Sequence, residues 1–123
     1  MTGAKPPSKQ RRSAFRRGHL AEYRAALALL LKGYRILAIR YKTKMGEIDI
    51  VARKGDLIAC VEVKARGSQE AAISAVSAPS QSRIRAASDI WLSNQPLAAR
   101  YSIRYDIVSV TPWGWPRHFP DAF

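Results

Sequence analysis

The stretch Gly46–Arg66, GEIDIVARKGDLIACVEVKAR, decides how the rest of the chain is read. Two strand-like runs flank Gly55-Asp56, a pair suited to a two-residue hairpin turn with glycine first. A turn there sets Lys54 opposite Leu57. Counting back from it places Ile50 opposite Val61, Ile48 opposite Val63, Asp49 opposite Glu62 and Glu47 opposite Lys64. Alternation then gathers Asp49, Glu62 and Lys64 on one face, with Ile48, Ile50, Val61 and Val63 on the other. Two carboxylates directly across a strand pair repel each other. Either a bound cation neutralises them or the register differs, and the first option is a metal site.

Phosphodiester hydrolysis needs a nucleophilic water and stabilised charge on the phosphoryl oxygens, and a hard divalent cation held by carboxylates supplies both. Asp49 and Glu62 suit Mg²⁺ (or Mn²⁺), with the backbone carbonyl of Val63 as an additional ligand. Lys64 emerges on the same face about 6–7 Å beyond Glu62, where an ammonium can orient the attacking water or stabilise the transition state. An E-x-K triplet alone is a weak signal. The competing reading is a ladder of surface pairs, in which Lys64 bonds Glu47 and Asp49 is solvated. The setting argues for the site, because Leu57–Val61 is an apolar run typical of an interior strand.

The 123 residues suit a single domain with one modest core. A formal net charge of +12, from 21 Lys plus Arg against 9 Asp plus Glu, implies a polyanionic partner, nucleic acid or an anionic membrane surface. Residues 1–17 hold Lys5, Lys9, Arg11, Arg12, Arg16 and Arg17 with no acid, and read as a disordered basic arm. The single Cys60 forms no internal disulfide and reads as a small buried side chain. The longest apolar run, Ala25–Leu31, is too short to span a bilayer, so the expectation is a soluble cytoplasmic protein.

Gly18–Lys32 reads as a helix ended by Gly33, apolar over most of its circumference and therefore largely covered. Glu22 shares a line with Ala25, Ala26 and Leu29. Either it pairs with Arg24 or an exposed base, or it is a further acid reaching toward the hairpin. Tyr34–Arg40 reads as a strand with Ile36, Ala38 and Arg40 on one side. Tyr41–Met45 is a linker carrying Lys42 and Lys44. Gly67–Ala78 is a loop with at most a short helical turn, and Pro79–Asn94 is a helix with the stripe Ile84, Ala87, Ser88 and Trp91. Tyr101–Val110 is a fourth strand, parallel to the third by the right-handed crossover rule. The tail, residues 111–123, carries three prolines that exclude a regular element, so it lies across the domain as a cover. A partner-binding or base-stacking role for its aromatics is the alternative. His118 has no ligand-type neighbour at metal spacing and reads as surface.

These motifs also carry a resemblance. GEIDIVA, VEVKARGS, an upstream Gly18-x-x-x-Glu22 helix, a later Q-x-R-I helix and RYDIVSV resemble the YraN family, small bacterial proteins of the PD-(D/E)xK nuclease superfamily similar to Holliday-junction resolvases. The match runs from about Gly18 to Val110, plus the terminal DAF. It implies a restriction-endonuclease-like α/β core, a mixed central sheet made of an antiparallel meander plus a parallel fourth strand, with flanking helices. It also implies a metal-binding Asp49, a second acid Glu62, the motif lysine Lys64, and Glu22 as the first-helix acid. Gln81 falls where the superfamily often has a polar residue on the following helix. Ser80 stands where the family commonly has a basic residue, which removes an expected phosphate contact. Glu47 is expected to pair with Lys64 or Arg66, and Asp106 with a neighbouring strand or the arm. Resolvase-like relatives act as dimers, which implies a homodimer here.

The expected organisation is a basic arm (1–17), a nuclease-like domain (18–110) and an aromatic tail (111–123). The expected function is DNA binding with metal-dependent endonuclease activity, on branched or distorted DNA by analogy. Lys5, Lys9, Arg11, Arg12, Arg16, Arg17, Lys42 and Lys44 would make backbone contacts with little sequence preference. The rivals are a non-catalytic nucleic-acid-binding module with a vestigial carboxylate site, and an adaptor docking through its Trp-rich tail. No membrane partner is expected.

Overall fold

A run of strong helix formers opens the fold. In a computed structural model of the chain, the backbone of residues 9–123 and the side chains of residues 19–123 are described. Helix α1 spans Lys9–Leu31, starting upstream of the Gly18 start that the sequence predicts. No proline or glycine intervenes between Pro7 and Gly18 to stop it. The cationic side chains of Lys5, Lys9, Arg11, Arg12, Arg16 and Arg17 lie outside the described residues. α1 ends at Gly33, whose φ of +93° lets the amides of Gly33 and Tyr34 reach back to the carbonyls of Leu30 and Leu29.

Strands β1 (Arg35–Lys42), β2 (Glu47–Lys54) and β3 (Leu57–Lys64) follow, then helices α2 (Gln69–Ser74) and α3 (Ala78–Ser93), a 3-10 turn, β4 (Ser102–Ser109) and β5 (Arg117–Phe119). The sheet order is β1-β2-β3-β4-β5. The first three strands are antiparallel, β4 runs parallel to β3, and β5 runs antiparallel to β4. This is an α/β fold with a mixed sheet, consistent with a restriction-endonuclease-like core. Among the described residues no helix is long and apolar enough to cross a membrane.

α1 covers one sheet face, setting Ala25, Ala26 and Leu29 on Ile50, Ala52, Val61 and Val108. α3 covers the other face with Ile84, Ala87 and Trp91, packed on Val51, Ile58, Cys60 and Ile107. The predicted α3 stripe is therefore buried. Burial also pushes the Cys60 thiol up to about 12, which makes it inert. α1 is not covered around most of its circumference, for Leu20, Tyr23, Leu27, Leu30 and Leu31 are exposed. A single sheet face shields only one side of a helix.

Simple alternation fails within β1 and again in β2 at Asp49. β1 shifts register between Ile36 and Ala38. Consequently Ile36 and Ile39 pack toward α1, whereas Ala38 and Tyr41 pack toward α3, in contrast to the predicted grouping of Ile36 with Ala38. Arg40 follows with φ of +53°, a left-handed conformation that costs roughly 1–2 kcal/mol outside glycine. On β2, Ile48 packs in the α3 cluster but Ile50 in the α1 cluster. The predicted sharing of one face by Ile48 and Ile50 is therefore wrong, because the backbone rolls over at Asp49.

Two expectations for the tail are also overturned. β5 is a regular element despite the flanking prolines, with His118 opposite Val108 and Phe119 opposite Ile107. The His118 side chain is only 5% exposed. Its Nε2 lies 2.8 Å from Oδ2 of the fully buried Asp106, and Lys32 Nζ lies 2.6 Å from Nδ1. An ammonium can only donate, so Nδ1 accepts and Nε2 carries the proton to Asp106. Asp106 also accepts from Arg104 Nε (2.8 Å), Arg104 Nη2 (2.7 Å) and the Asp121 amide (2.9 Å). Burial pushes this carboxyl up, but the donors outweigh it and bring it down to about 2. Asp106 thus fastens the tail to the sheet, and it carries no free capacity for a ligand.

Candidate functional site

The hairpin is the scaffold. Gly55 adopts φ of +62°, and the predicted register holds from Lys54 opposite Leu57 to Ile50 opposite Val61. Beyond that pair the ladder between β2 and β3 stops. β2 continues against β1, with Ile48 opposite Tyr41 and Glu47 opposite Lys42. β3 continues against β4, with Glu62 opposite Ile107 and Lys64 opposite Ser109. The sheet forks there. The predicted pairs Ile48–Val63, Asp49–Glu62 and Glu47–Lys64 are accordingly not made. In an unbroken ladder the Val63 amide would face a β2 carbonyl, but it donates to Asp49 Oδ2 at 2.9 Å instead. The carboxylate has taken the place of a rung, which explains why the strands part at this residue.

α3 forms the opposite wall. A cleft of about 270 Å³ is lined by Glu47, Asp49, Glu62, Ser80, Arg83 and Ile84. The helix can come this close because residue 46 is glycine: a Cβ there would lie 2.6 Å from the Arg83 carbonyl oxygen. The turn before it is locked by Thr43, whose Oγ1 donates to the Gly46 carbonyl (2.8 Å) and accepts the Gly46 amide (3.0 Å). Ser77 caps α3 by accepting the Ser80 amide. Arg83 Nη2 is 3.4 Å from Ser80 Oγ.

The predicted residues fall into three groups. Asp49 and Glu62 open onto the cleft, and Lys64 Nζ sits 3.9 Å from Glu62 Oε2. Glu47, expected to pair with Lys64 or Arg66, lines the cleft instead, since Lys64 turns to Glu62 once the strands part. Glu22 stands behind this group. Its Oε2 is 3.5 Å from Arg40 Nη1, and both atoms are buried without a hydrogen-bond partner. Gln81 does not join, for its amide donates to the Val76 carbonyl at 3.2 Å. Lys42 and Lys44 are exposed around the β1–β2 turn. Two contributors escaped the sequence reading. Arg83 is signalled only by its place one helical turn after Ser80. Arg40 reaches Glu22 through a backbone conformation that no composition reveals.

The acids are short of partners. Burial first, then the Asp49 carboxylate, raises Glu62 to about 8, against the opposing pull of Lys64 and of the Asp49 backbone amide. Burial also raises Asp49, with the Val63 amide and Lys64 opposing. Glu22 is raised by burial and then by Asp49. Among the described residues no three His, Cys, Asp or Glu side chains converge closely enough to hold a metal ion by themselves. Asp49 and Glu62, which both open onto the cleft and are both disfavoured as bare anions, are nevertheless donors of the kind a hard cation takes when it keeps part of its water shell.

Comparison with known proteins decides the family. Residues 21–110 match the profile of a family described as "Uncharacterised protein family UPF0102". A UPF0102 protein of Rhizobium meliloti is 65% identical over 120 residues, covering 98% of each chain. One from Sinorhizobium medicae is 69% identical over 110 residues, covering 89% of this chain and 90% of that one. The chain belongs to the UPF0102 family, the YraN family of the motif resemblance. The family match begins just before Glu22 and ends at Val110, so it contains the fork, the cleft and the three α3 residues that line it.

Proposed function

We propose that this UPF0102 protein binds DNA and hydrolyses its phosphodiester bonds with a divalent metal ion. The observation that carries the reading is the fork. Two strands separate where a carboxylate replaces a ladder bond, and the acids at the split share a cleft with a guanidinium. The motif resemblance to PD-(D/E)xK nucleases supports it, as does the +12 charge.

Asp49 and Glu62, with the Val63 carbonyl, would hold Mg²⁺ or Mn²⁺, and the bound ion would supply an acidified water and charge for the phosphoryl oxygens. The residues themselves do the positioning. The Val63 amide fixes the Asp49 carboxylate by occupying one of its oxygens. Lys64, beside Glu62, places an ammonium where a water or a phosphoryl oxygen can accept from it. Arg83 and Ser80 offer donors for a non-bridging phosphate oxygen, and a guanidinium is well suited to that geometry. Arg83 therefore takes over the contact that Ser80, one turn earlier, lacks as a neutral residue. Arg40 offsets the charge of Glu22 from behind.

A second reading, a nucleic-acid-binding module with a vestigial site, draws on the absence of a ready-made three-acid cluster among the described residues. Cleavage separates the two. Supercoiled and four-way-junction DNA are incubated with Mg²⁺ or Mn²⁺ and wild type, Asp49→Ala or Lys64→Ala. The nuclease reading expects nicking by wild type that falls by about 100-fold or more in both variants. Undiminished nicking in Asp49→Ala, or none by wild type with either metal, removes it.

A further inference from the structure

The tail sorts its aromatic residues into two groups. Phe119 and Phe123 pack into the α3-side core, and Phe123 stacks on Tyr105 with ring centroids 5.5 Å apart. Trp113 and Trp115 remain 94% and 62% exposed. Their loop is nevertheless tied down. Arg24 of α1 donates from Nη1 to the Thr111 carbonyl (2.9 Å) and from Nη2 to the Gly114 carbonyl (2.6 Å). Two large rings are thus held out in water by a loop that Arg24 fastens at two of its carbonyls.

The sheet fixes where this happens. β3 and β4 are parallel, with Lys64 opposite Ser109, and the Val110 amide donates to the Lys64 carbonyl at 2.9 Å. The loop therefore leaves the same strand end that carries Glu62 and Lys64. Trp113 lies four residues past Ser109, a reach of at most about 14 Å. Exposed Arg66 and Arg117 flank that strand end: the Ser109 hydroxyl donates to the Arg66 carbonyl, and Arg117 is the β5 residue opposite Ser109.

We infer that Trp113 and Trp115 form a stacking platform for unpaired nucleobases next to the cleft, so that the substrate is nucleic acid with a single-stranded or splayed segment rather than continuous duplex. This rests on the nucleic-acid reading above and narrows it. Exposed rings on a loop that leaves a strand end carrying exposed arginines match the chemistry of a single strand, which presents base faces to stack and phosphates to pair. A continuous duplex hides its base faces and leaves such rings nothing to stack on.

The test uses the full chain in EDTA, so that binding is read without cleavage. Intrinsic fluorescence is titrated with an oligothymidylate, a blunt duplex, and the same duplex bearing a single-stranded overhang. Trp91 is buried, so quenching reports on the exposed pair. The expected result is quenching by the oligothymidylate and the overhang duplex. Measured by the anisotropy of the same ligands carrying a fluorescent label, Trp113→Ala/Trp115→Ala then loses about tenfold or more in affinity for those two ligands and at most about twofold for blunt duplex. Arg24→Met, which frees the loop while keeping both rings, weakens the same preference. Three results overturn the inference: equal loss on all three ligands, unchanged fluorescence at saturation, or an emission shift with anionic phospholipid vesicles and none with oligonucleotide. A wild type that cleaves nothing yet shows the expected quenching pattern removes the nuclease reading and leaves the platform standing.

Discussion

Asp106 and Glu62 sit on neighbouring strands one register step apart, Val61 opposite Asp106 and Glu62 opposite Ile107. Burial pushes both carboxyls toward the protonated form. They end far apart, at about 2 for Asp106 and about 8 for Glu62. The difference is donors. Asp106 receives Arg104, His118 and the Asp121 amide at 2.7 to 2.9 Å. Glu62 has Lys64 at 3.9 Å and a single backbone amide, that of Asp49, set against the charges of the Asp49 and Glu47 carboxylates. A buried acid supplied with donors holds a structure together, whereas one left short and grouped with other acids in a cleft is suited to an ion from outside.

The largest effect should come from breaking the satisfied centre. Asp106→Asn strands Arg104 and His118 and should cost about 3 kcal/mol in urea unfolding at neutral pH. In wild type the stabilisation from this carboxylate is present above its ordinary pKa near 4 and is lost as pH falls through about 2. If unfolding is unchanged, Asp106 is not the tie between tail and sheet.

The under-satisfied centre should respond in the opposite sense. Glu62 has its folded value raised from 4.5 to about 8, so in the metal-free wild type this group's contribution to stability is fully present below about pH 4.5 and is lost as pH rises through about 8. Glu62→Gln escapes that loss. It should be more stable than wild type by on the order of 2 kcal/mol at about pH 9 and equal to it near pH 4. A variant less stable than wild type at both ends would mean that Glu62, like Asp106, serves the fold.

A smaller effect sharpens the comparison. Gly46→Ala presses on the Arg83 backbone and should cost about 1 kcal/mol, with nicking reduced by more than stability because the cleft wall moves. Calorimetric unfolding beside nicking rates checks this. Equal losses in both would remove Gly46 from any role in setting the cleft.

Much of this fold is legible in local pattern. Gly55-Asp56 announces the turn, Lys54 to Ile50 and Leu57 to Val61 carry the register, the Ile84-to-Trp91 stripe marks the buried side of α3, and the crossover rule makes β4 parallel. Asp49 and Glu62 stand out in the sequence as acids on adjoining strands, although the direct opposition that singles them out is not made. What escaped depends on interactions between distant residues. The fork exists because an Asp49 oxygen replaces a main-chain acceptor, which a register count cannot foresee. Arg40 bends through a left-handed residue that sequence gives no reason to expect. β5 is too short to show a pattern, and its place comes from His118 meeting Asp106. The exposed leucines of α1 follow from how little of a helix one sheet face covers, which composition does not reveal.

The central claim is that the fork's acids hold a divalent cation, and calorimetric titration of the intact protein with Mn²⁺ at pH 7 tests it most directly. Glu62 is raised to about 8, so binding at pH 7 should release about one proton per ion, read as a dependence of the heat on buffer ionisation enthalpy. Wild type should show one saturable site, lost in Asp49→Asn and kept in Arg83→Gln. Binding with no proton release and no change in Asp49→Asn, or no saturable binding at all, would contradict the account.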